Sequence, residues 1–286
     1  MSQRLNPLIS AGSTDACKLF LDHFRMDASA RDPMFLQRVV HNFSKIPYEN
    51  LSKIVKTAGG GDPRIHFRLP DELMRDHVDY RLGGTCFSLT FFLETLLTHL
   101  GYSCYKVMAD MQAGRNIHCA VVVTEPSGTL LVDPGYGLNR PVLLNRDHPV
   151  RFLSRHGGVE VVYEPASDQF HLFTYMARER KWRYSFADRA VSDEDFERFW
   201  VESFSKPTLN QICLYKVTQQ GRLYLHRHHL RVSTFRGQRK ENVRENLHRT
   251  VKTYFGIAPH WVDEAVAVLA ERRARWRAAA DTQRHG

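Results

Sequence analysis

The segment GGTCFSLTFFLETLLTHLGY, Gly83–Tyr102, decides how the chain is organised. Within it Leu89, Phe92, Leu93, Leu96, Leu97 and Leu100 recur at i, i+3, i+4, i+7, i+8 and i+11, the spacing of a wide apolar stripe along one face of an α-helix. Gly101 ends that helix. At its start Gly83 and Gly84 supply permissive backbone and Thr85 can cap the first turn, which puts Cys86 at the helix start. A thiol there faces unpaired backbone N–H groups and the positive end of the helix dipole, so its pKa should fall. Cys86 also stands three residues before Leu89, near the core-facing stripe. The position suits either a nucleophile in a cleft between layers or an inert thiol packed as a small hydrophobe.

Working outward, the first hundred residues read as helical, and from Ser103 the pattern changes to short β-rich runs: SCYKVMADM, IHCAVVVT, TLLVDP, VEVVYEP and LFTYM. EPSG, Glu125 to Gly128, reads as a hairpin turn that pairs Thr124 with Thr129. That register sets His118 opposite Gly135 and makes Asp133 its diagonal neighbour on the same face, roughly 7–8 Å away and within reach of an imidazole and a carboxylate. The competing reading is an exposed histidine and a turn-forming aspartate before Pro134. A further hairpin, ICLYKVTQQGRLYLHRHHLRV, follows Pro207, and a long helix follows Pro259. The divisions expected are 1–102 for a helical part with Cys86, 103–205 for a β part with His118 and Asp133, and 206–286 for the remainder. Cys86, His118 and Asp133 then stand as nucleophile, base and orienter in chain order, although nothing in the sequence alone brings Cys86 to His118.

Composition narrows the alternatives. The 286 residues carry 40 Lys+Arg against 31 Asp+Glu, a formal charge of +9, with 43% apolar and 25% charged residues. This is the composition of a globular chain and excludes disordered and collagen-like classes. No run of 18 or more apolar residues occurs, and the start lacks a basic segment followed by an apolar core, so neither a membrane span nor secretion is expected. The five cysteines are scattered and never form CxxC, which argues against a disulfide framework or structural zinc and for a reducing, cytoplasmic setting. Basic residues are densest from Arg236 to Arg249 and in ERRARWRAAADTQRHG; without helix-turn-helix, zinc-finger or RNP-like spacing beside them, they read as a solvated face rather than a nucleic-acid surface. His226 and His228 share a face of an extended strand, but no third ligand stands at metal spacing, so no metal site is expected.

Four stretches carry a resemblance: IPYENL (46–51), GGTCF (83–87), IHCAVVV from Ile117 and LVDPGYG (131–137). In this order and spacing the chain resembles the arylamine N-acetyltransferases, from Leu21 through DFERFW to Pro207 and more faintly into the last hairpin. The resemblance implies an α+β fold of the papain-like cysteine superfamily, with an N-terminal helical bundle, a central β-barrel and a C-terminal α/β lid. It implies a ping-pong reaction with acetyl-CoA or another acyl-CoA as co-substrate and no tightly bound cofactor, and an arylamine, arylhydrazine or N-hydroxyarylamine as acceptor. By the same carry-over Cys86 accepts the acyl group, His118 is the base, Asp133 holds the imidazole, and Gly114, Arg115, Ser205 and Thr208 are candidate coenzyme contacts. A same-fold amide synthase or thioester hydrolase, and a non-catalytic basic binding protein, are the rival readings. The departures are Leu82 at the family's arginine position with Arg81 displaced by one, Thr90 for the Asn four residues after the cysteine, and Trp200 for the Asn near DFE. Glu49 must therefore find Arg81 or another partner. The amine, the acyl length and self-association stay open.

Overall fold

The computed structural model describes residues 13–29, 32–154, 157–176, 179–206, 211–218, 221–234 and 236–285. Apolar spacing becomes helix in α1 (Ser13–His23), α2 (Phe35–Phe43), α3 (Leu51–Lys56), α4 (Pro70–Tyr80) and α5 (Cys86–His99). The stripe on α5 packs Leu89, Phe92, Leu93, Leu96 and Leu97 against Phe20, Val39, Phe43 and Leu73 of the other helices. Fully burying each such side chain contributes about 1.5–3 kcal/mol. Gly101 closes α5 in a left-handed conformation (φ 75°), with Tyr102 N–H bonded back to Leu97 O at 2.9 Å. The opposite side of α5 is buried too, because Phe87 and Phe91 face Phe67, Phe196 and Trp200. A one-sided stripe therefore understates this helix, which is enclosed between two apolar layers.

The β-rich runs form an antiparallel eight-stranded sheet that nearly closes into a barrel, in the order β5 (Val142–Leu143), β4 (Gly128–Val132), β3 (Gly114–Glu125), β2 (Ser103–Met111), β9 (Glu179–Phe186), β8 (Gln169–Met176), β7 (Gly157–Glu164), β6 (Val150–Ser154). Thr124 pairs with Thr129, and the ladder runs back to Val121 with Val132. Alternation along β3 decides where the site lies. Val121 and Val123 join the helical core, whereas Ala120 and Val122 join the barrel interior. His118 has the parity of Ala120, and Asp133 that of Leu131, so both side chains belong to the barrel side.

The remaining chain adds α6 (Asp193–Glu202), then a sheet in the order β1 (Tyr48–Glu49), β10 (Cys213–Thr218), β11 (Gly221–His226), β12 (His229–Thr234), β13 (Gly237–Asn242), covered by α7 (Leu247–Phe255) and α8 (Pro259–His285). β1 corrects the all-helical reading of the first hundred residues. Tyr48 pairs with Tyr215 and also bridges to Gly84, so this two-residue strand ties the last sheet to the loop before Cys86. The histidine cluster is corrected as well: β11 ends at His226, Arg227 turns the chain with φ 58°, and His226 pairs with His229, so His226 and His228 do not share a strand face. The basic run supplies the exposed edge strand β13, where charge discourages pairing with another chain. Among the described residues no helix is long and apolar enough to cross a membrane.

Candidate active site

Cys86 begins α5 because the two preceding glycines let the loop pass through tight space. A Cβ on Gly83 would lie 1.9 Å from Pro47 O, and one on Gly84 would lie 2.9 Å from Ser88 Cβ. Glu49 N–H donates to Gly84 O at 3.0 Å. Thr85 has the extended backbone of a cap, but its hydroxyl makes no capping bond and is buried without a partner among the described residues, which corrects the capping expectation. The loop is held from another direction. Arg68, 3% exposed, donates to Gly83 O from Nε at 3.3 Å and Nη2 at 3.1 Å, while its Nη1 meets Asp76 at 2.7 Å and Glu72 at 3.0 Å. Leu82 is buried in the core beneath the last sheet, and Arg81 points outward to His23. Glu49 takes neither arginine; it accepts from Ser52 Oγ at 2.5 Å and Ser52 N–H at 3.0 Å.

Cys86, His118 and Asp133 converge and are 8%, 4% and 0% exposed. His118 Nε2–H donates to Asp133 Oδ2 at 2.8 Å, leaving Nδ1 for the sulfur. Asp133 is itself fixed, with Tyr184 O–H donating to Oδ2 at 2.6 Å and Tyr136 N–H to Oδ1 at 2.8 Å. Gly135 marks the meeting point: a Cβ there would lie 2.9 Å from both Cys86 Cβ and His118 Cε1. A hydrogen bond from the Cys119 thiol holds Cys86 well below the usual thiol range, against the opposing effect of burial and with further help from His118 and the Lys53 charge. Burial works against a charged His118, but the Asp133 carboxylate and Cys86 together push it up to about 10. The favoured state is thus thiolate with imidazolium. As a thiol, Cys86 would also reach Ile117 O, at a long 3.8 Å.

Thr90 donates to Cys119 O at 3.1 Å, bracing β3 one residue beyond His118, and Trp200 stacks on Phe67 with centroids 4.2 Å apart. The two departures at these positions therefore supply packing around the site. Tyr184, Arg68, Lys53 and Cys119 are the neighbours that reading the sequence did not single out. An arginine set between Phe67 and Leu69 was a usable signal for Arg68; Tyr184 had none, because it comes from a distant strand.

A family model described as N-acetyltransferase matches residues 34–261. The chain belongs to the arylamine N-acetyltransferase family. It is 23% identical over 216 residues to the uncharacterized acetyltransferase YvcN of Bacillus subtilis, covering 70% of this chain and 79% of that protein. Its fold matches the arylamine N-acetyltransferase of Mycobacterium abscessus with a TM-score of 0.77 at 16% identity, over 93% of this chain and 99% of that one. The enzyme from Salmonella typhimurium matches with a TM-score of 0.72 at 16% identity, over 90% and 98%. The Mycobacterium marinum enzyme, solved in complex with CoA, matches with a TM-score of 0.71 at 19% identity, over 90% and 97%. The fold is accordingly that of these enzymes, and this chain is an N-acetyltransferase.

In this acetyltransferase Gly114 opens β3, four residues before His118, and Arg115 stands outside with 88% of its side chain exposed, 3.6 Å from Asp110. Ser205 is exposed just beyond α6 and donates to Glu202 O at 2.8 Å. Thr208 and Pro207 lie outside the described residues.

Gly135 allows a test that leaves all three polar side chains in place. Gly135→Ala is expected to wedge Cys86 from His118 and to lower kcat/KM for acetyl-CoA by about 10²-fold, the cost of a displacement near 1 Å. Steady-state release of CoA measures it, and an alanine variant as active as the parent would show that the close approach is immaterial.

Proposed function

We propose that the enzyme passes an acetyl group from acetyl-CoA to Cys86 and then to an arylamine, arylhydrazine or N-hydroxyarylamine. The Cys86 thiolate attacks the thioester carbonyl and the coenzyme leaves, its sulfur taking the proton from His118. The amine then attacks the acetyl-cysteine, His118 accepts the proton lost from nitrogen, and Cys86 departs as thiolate. Exchange between two thioesters is nearly balanced in energy, so the first step needs alignment more than driving force. Asp133 keeps Nε2 protonated and Nδ1 directed at sulfur throughout. The observation that carries this reading is the shared approach of Cys86 and His118 to Gly135, with Asp133 bonded behind the ring.

Coenzyme contacts are assigned to Gly114, Arg115, Ser205 and Thr208. Arg115 presents its guanidinium on an exposed side chain, able to exchange a long contact with Asp110 for a phosphate. The Mycobacterium marinum complex with CoA supports a coenzyme A thioester as donor. Five free cysteines fit a cytoplasmic setting.

Mixing the protein with acetyl-CoA alone should release about one equivalent of free thiol, and adding an arylamine should convert that burst into continuous release. Release that ignores the amine would point instead to a thioester hydrolase.

A further inference from the structure

Lys53, on α3 four residues after Glu49, helps hold the Cys86 thiolate through its charge, but its own surroundings are not explained by that task. The residue is 6% exposed. Its Nζ donates to Ser203 Oγ at 2.7 Å and lies 3.9 Å above the Phe204 ring. Ser203 Oγ gives its own proton to Trp200 O at 2.6 Å, so toward Lys53 it acts only as an acceptor. An ammonium has three donors, and a neutral hydroxyl with an aromatic face does not match its charge.

Two other buried cations among the described residues show what is missing. Arg68 is paired with Asp76 and Glu72, and Lys106 with Glu94 and Asp193. Among the described residues Lys53 has no such carboxylate. Burial accordingly pushes its ammonium down to about 7, opposed only by the charge of Cys86. Lys53 also stands at the end of the aromatic wall beside the nucleophile: Phe204 is 6.0 Å from Phe67, Phe67 is 4.2 Å from Trp200, and Trp200 is 6.3 Å from Phe87, the residue after Cys86.

The reaction cycle sharpens the mismatch. While Cys86 is a thiolate, Lys53 has an anion in its field. Once Cys86 carries an acyl group that negative charge is gone, and with it the one influence that favours the Lys53 ammonium against burial. A carboxylate arriving with the substrate would restore the balance.

We propose that Lys53 selects for a carboxylate on the substrate, carried either by the acyl group or by the aromatic amine. The proposal rests on the acyl-transfer reading above. In a ping-pong cycle kcat/KM for the donor reports acylation and kcat/KM for the acceptor reports transfer, so the two sources separate. The donor arm compares malonyl-CoA with propionyl-CoA, using 4-aminobenzamide as acceptor. The acceptor arm compares 4-aminobenzoate with 4-aminobenzamide, using acetyl-CoA. The full chain is expected to prefer the anionic member of one pair by about tenfold or more, as for a charge-assisted hydrogen bond. Lys53→Met should abolish that preference through KM, and Lys53→Arg should retain most of it. The readout is the ratio within each pair, which a uniform change in Cys86 reactivity does not move. Lys53→Gln, which keeps a donor for Ser203, replaces the methionine variant if thermal melting shows the latter unfolded. Equal rates within both pairs, or a preference that survives loss of the charge, would overturn the proposal. Mass spectrometry of the Cys86 peptide keeps the two readings apart: acyl mass on Cys86 without discrimination sinks only the role of Lys53, whereas no acyl mass from any donor sinks the acyl-transfer reading and this one with it.

Discussion

Cys86→Ser is expected to reduce acetyl transfer by about 10⁴-fold or more while leaving the fold in place, because the proposed chemistry depends on ionised sulfur. A serine hydroxyl stays protonated in the same surroundings, and oxygen gains far less than sulfur from an adjacent imidazolium. The change is nearly isosteric at a position only 8% exposed, so the melting temperature should move little. After brief exposure to acetyl-CoA, the parent should carry one acetyl group on the peptide containing Cys86, and the serine variant none. Acetyl mass persisting in the variant would reassign the nucleophile. Cys119 would be the first thiol to inspect, but burial and the neighbouring Cys86 push its thiol well above the ordinary range, the opposite of what a nucleophile needs.

The same thiol gives a pH signature. Since the Cys86 pKa is lowered, its thiolate persists on the acid side of neutrality, and alkylation by iodoacetamide should stay on a plateau below pH 7. A free thiol in that range loses about tenfold in rate per pH unit. With His118 held up to about 10, the imidazolium proposed to protonate the departing coenzyme is lost only in strongly alkaline solution, so acetylation should fall there and not near pH 6.5. The two groups titrate as a pair, and the profile belongs to both.

Local periodicity made much of this arrangement legible. The leucine stripe of α5 and the Thr124–Thr129 pairing depend on repeats of 3.6 and 2, which neighbouring residues settle among themselves. The closeness of His118 and Asp133 follows from the same hairpin arithmetic. What stayed hidden depends on the path of distant chain. Arg68 reaches Gly83 because the chain turns through a short 3-10 helix at Pro63–His66 before FRLP returns to the loop, and displacing the arginine to position 81 gave no hint of that replacement. Tyr184 lies 51 residues after Asp133 and meets it through barrel curvature, which no short window encodes. β1 spans two residues, too few for any period to register. Arg227 turns a hairpin without the glycine or asparagine that usually announces a left-handed position, so HRHHL reads as uninterrupted strand.

Asp133→Asn tests the rest of the site with no change in side-chain shape. Asp133 is 0% exposed and accepts three hydrogen bonds: from His118 and Tyr184 at Oδ2, and from Tyr136 N–H at Oδ1. An amide cannot satisfy this set. With NH₂ at the Oδ2 position it confronts two donors, and with NH₂ at Oδ1 it confronts a backbone N–H that cannot turn away. In the first orientation His118 must become the Nδ1–H tautomer, so the nitrogen facing sulfur no longer accepts a proton. In either orientation the carboxylate that outweighs burial is lost, the imidazole is driven toward neutrality, and Cys86 is deprived of its imidazolium. The fall in kcat/KM for acetyl-CoA should be about 10⁴-fold, as for the corresponding change in a serine-protease triad. An unmatched buried donor should also cost about 1–3 kcal/mol in denaturant unfolding. Tyr184→Phe removes one donor and leaves the carboxylate, so it should be much milder. The deciding measurement is Cys86 alkylation against pH: in the asparagine variant the plateau below pH 7 should vanish as the thiol midpoint rises. An asparagine variant that still alkylates rapidly in acid would mean that the imidazolium is held by something other than Asp133.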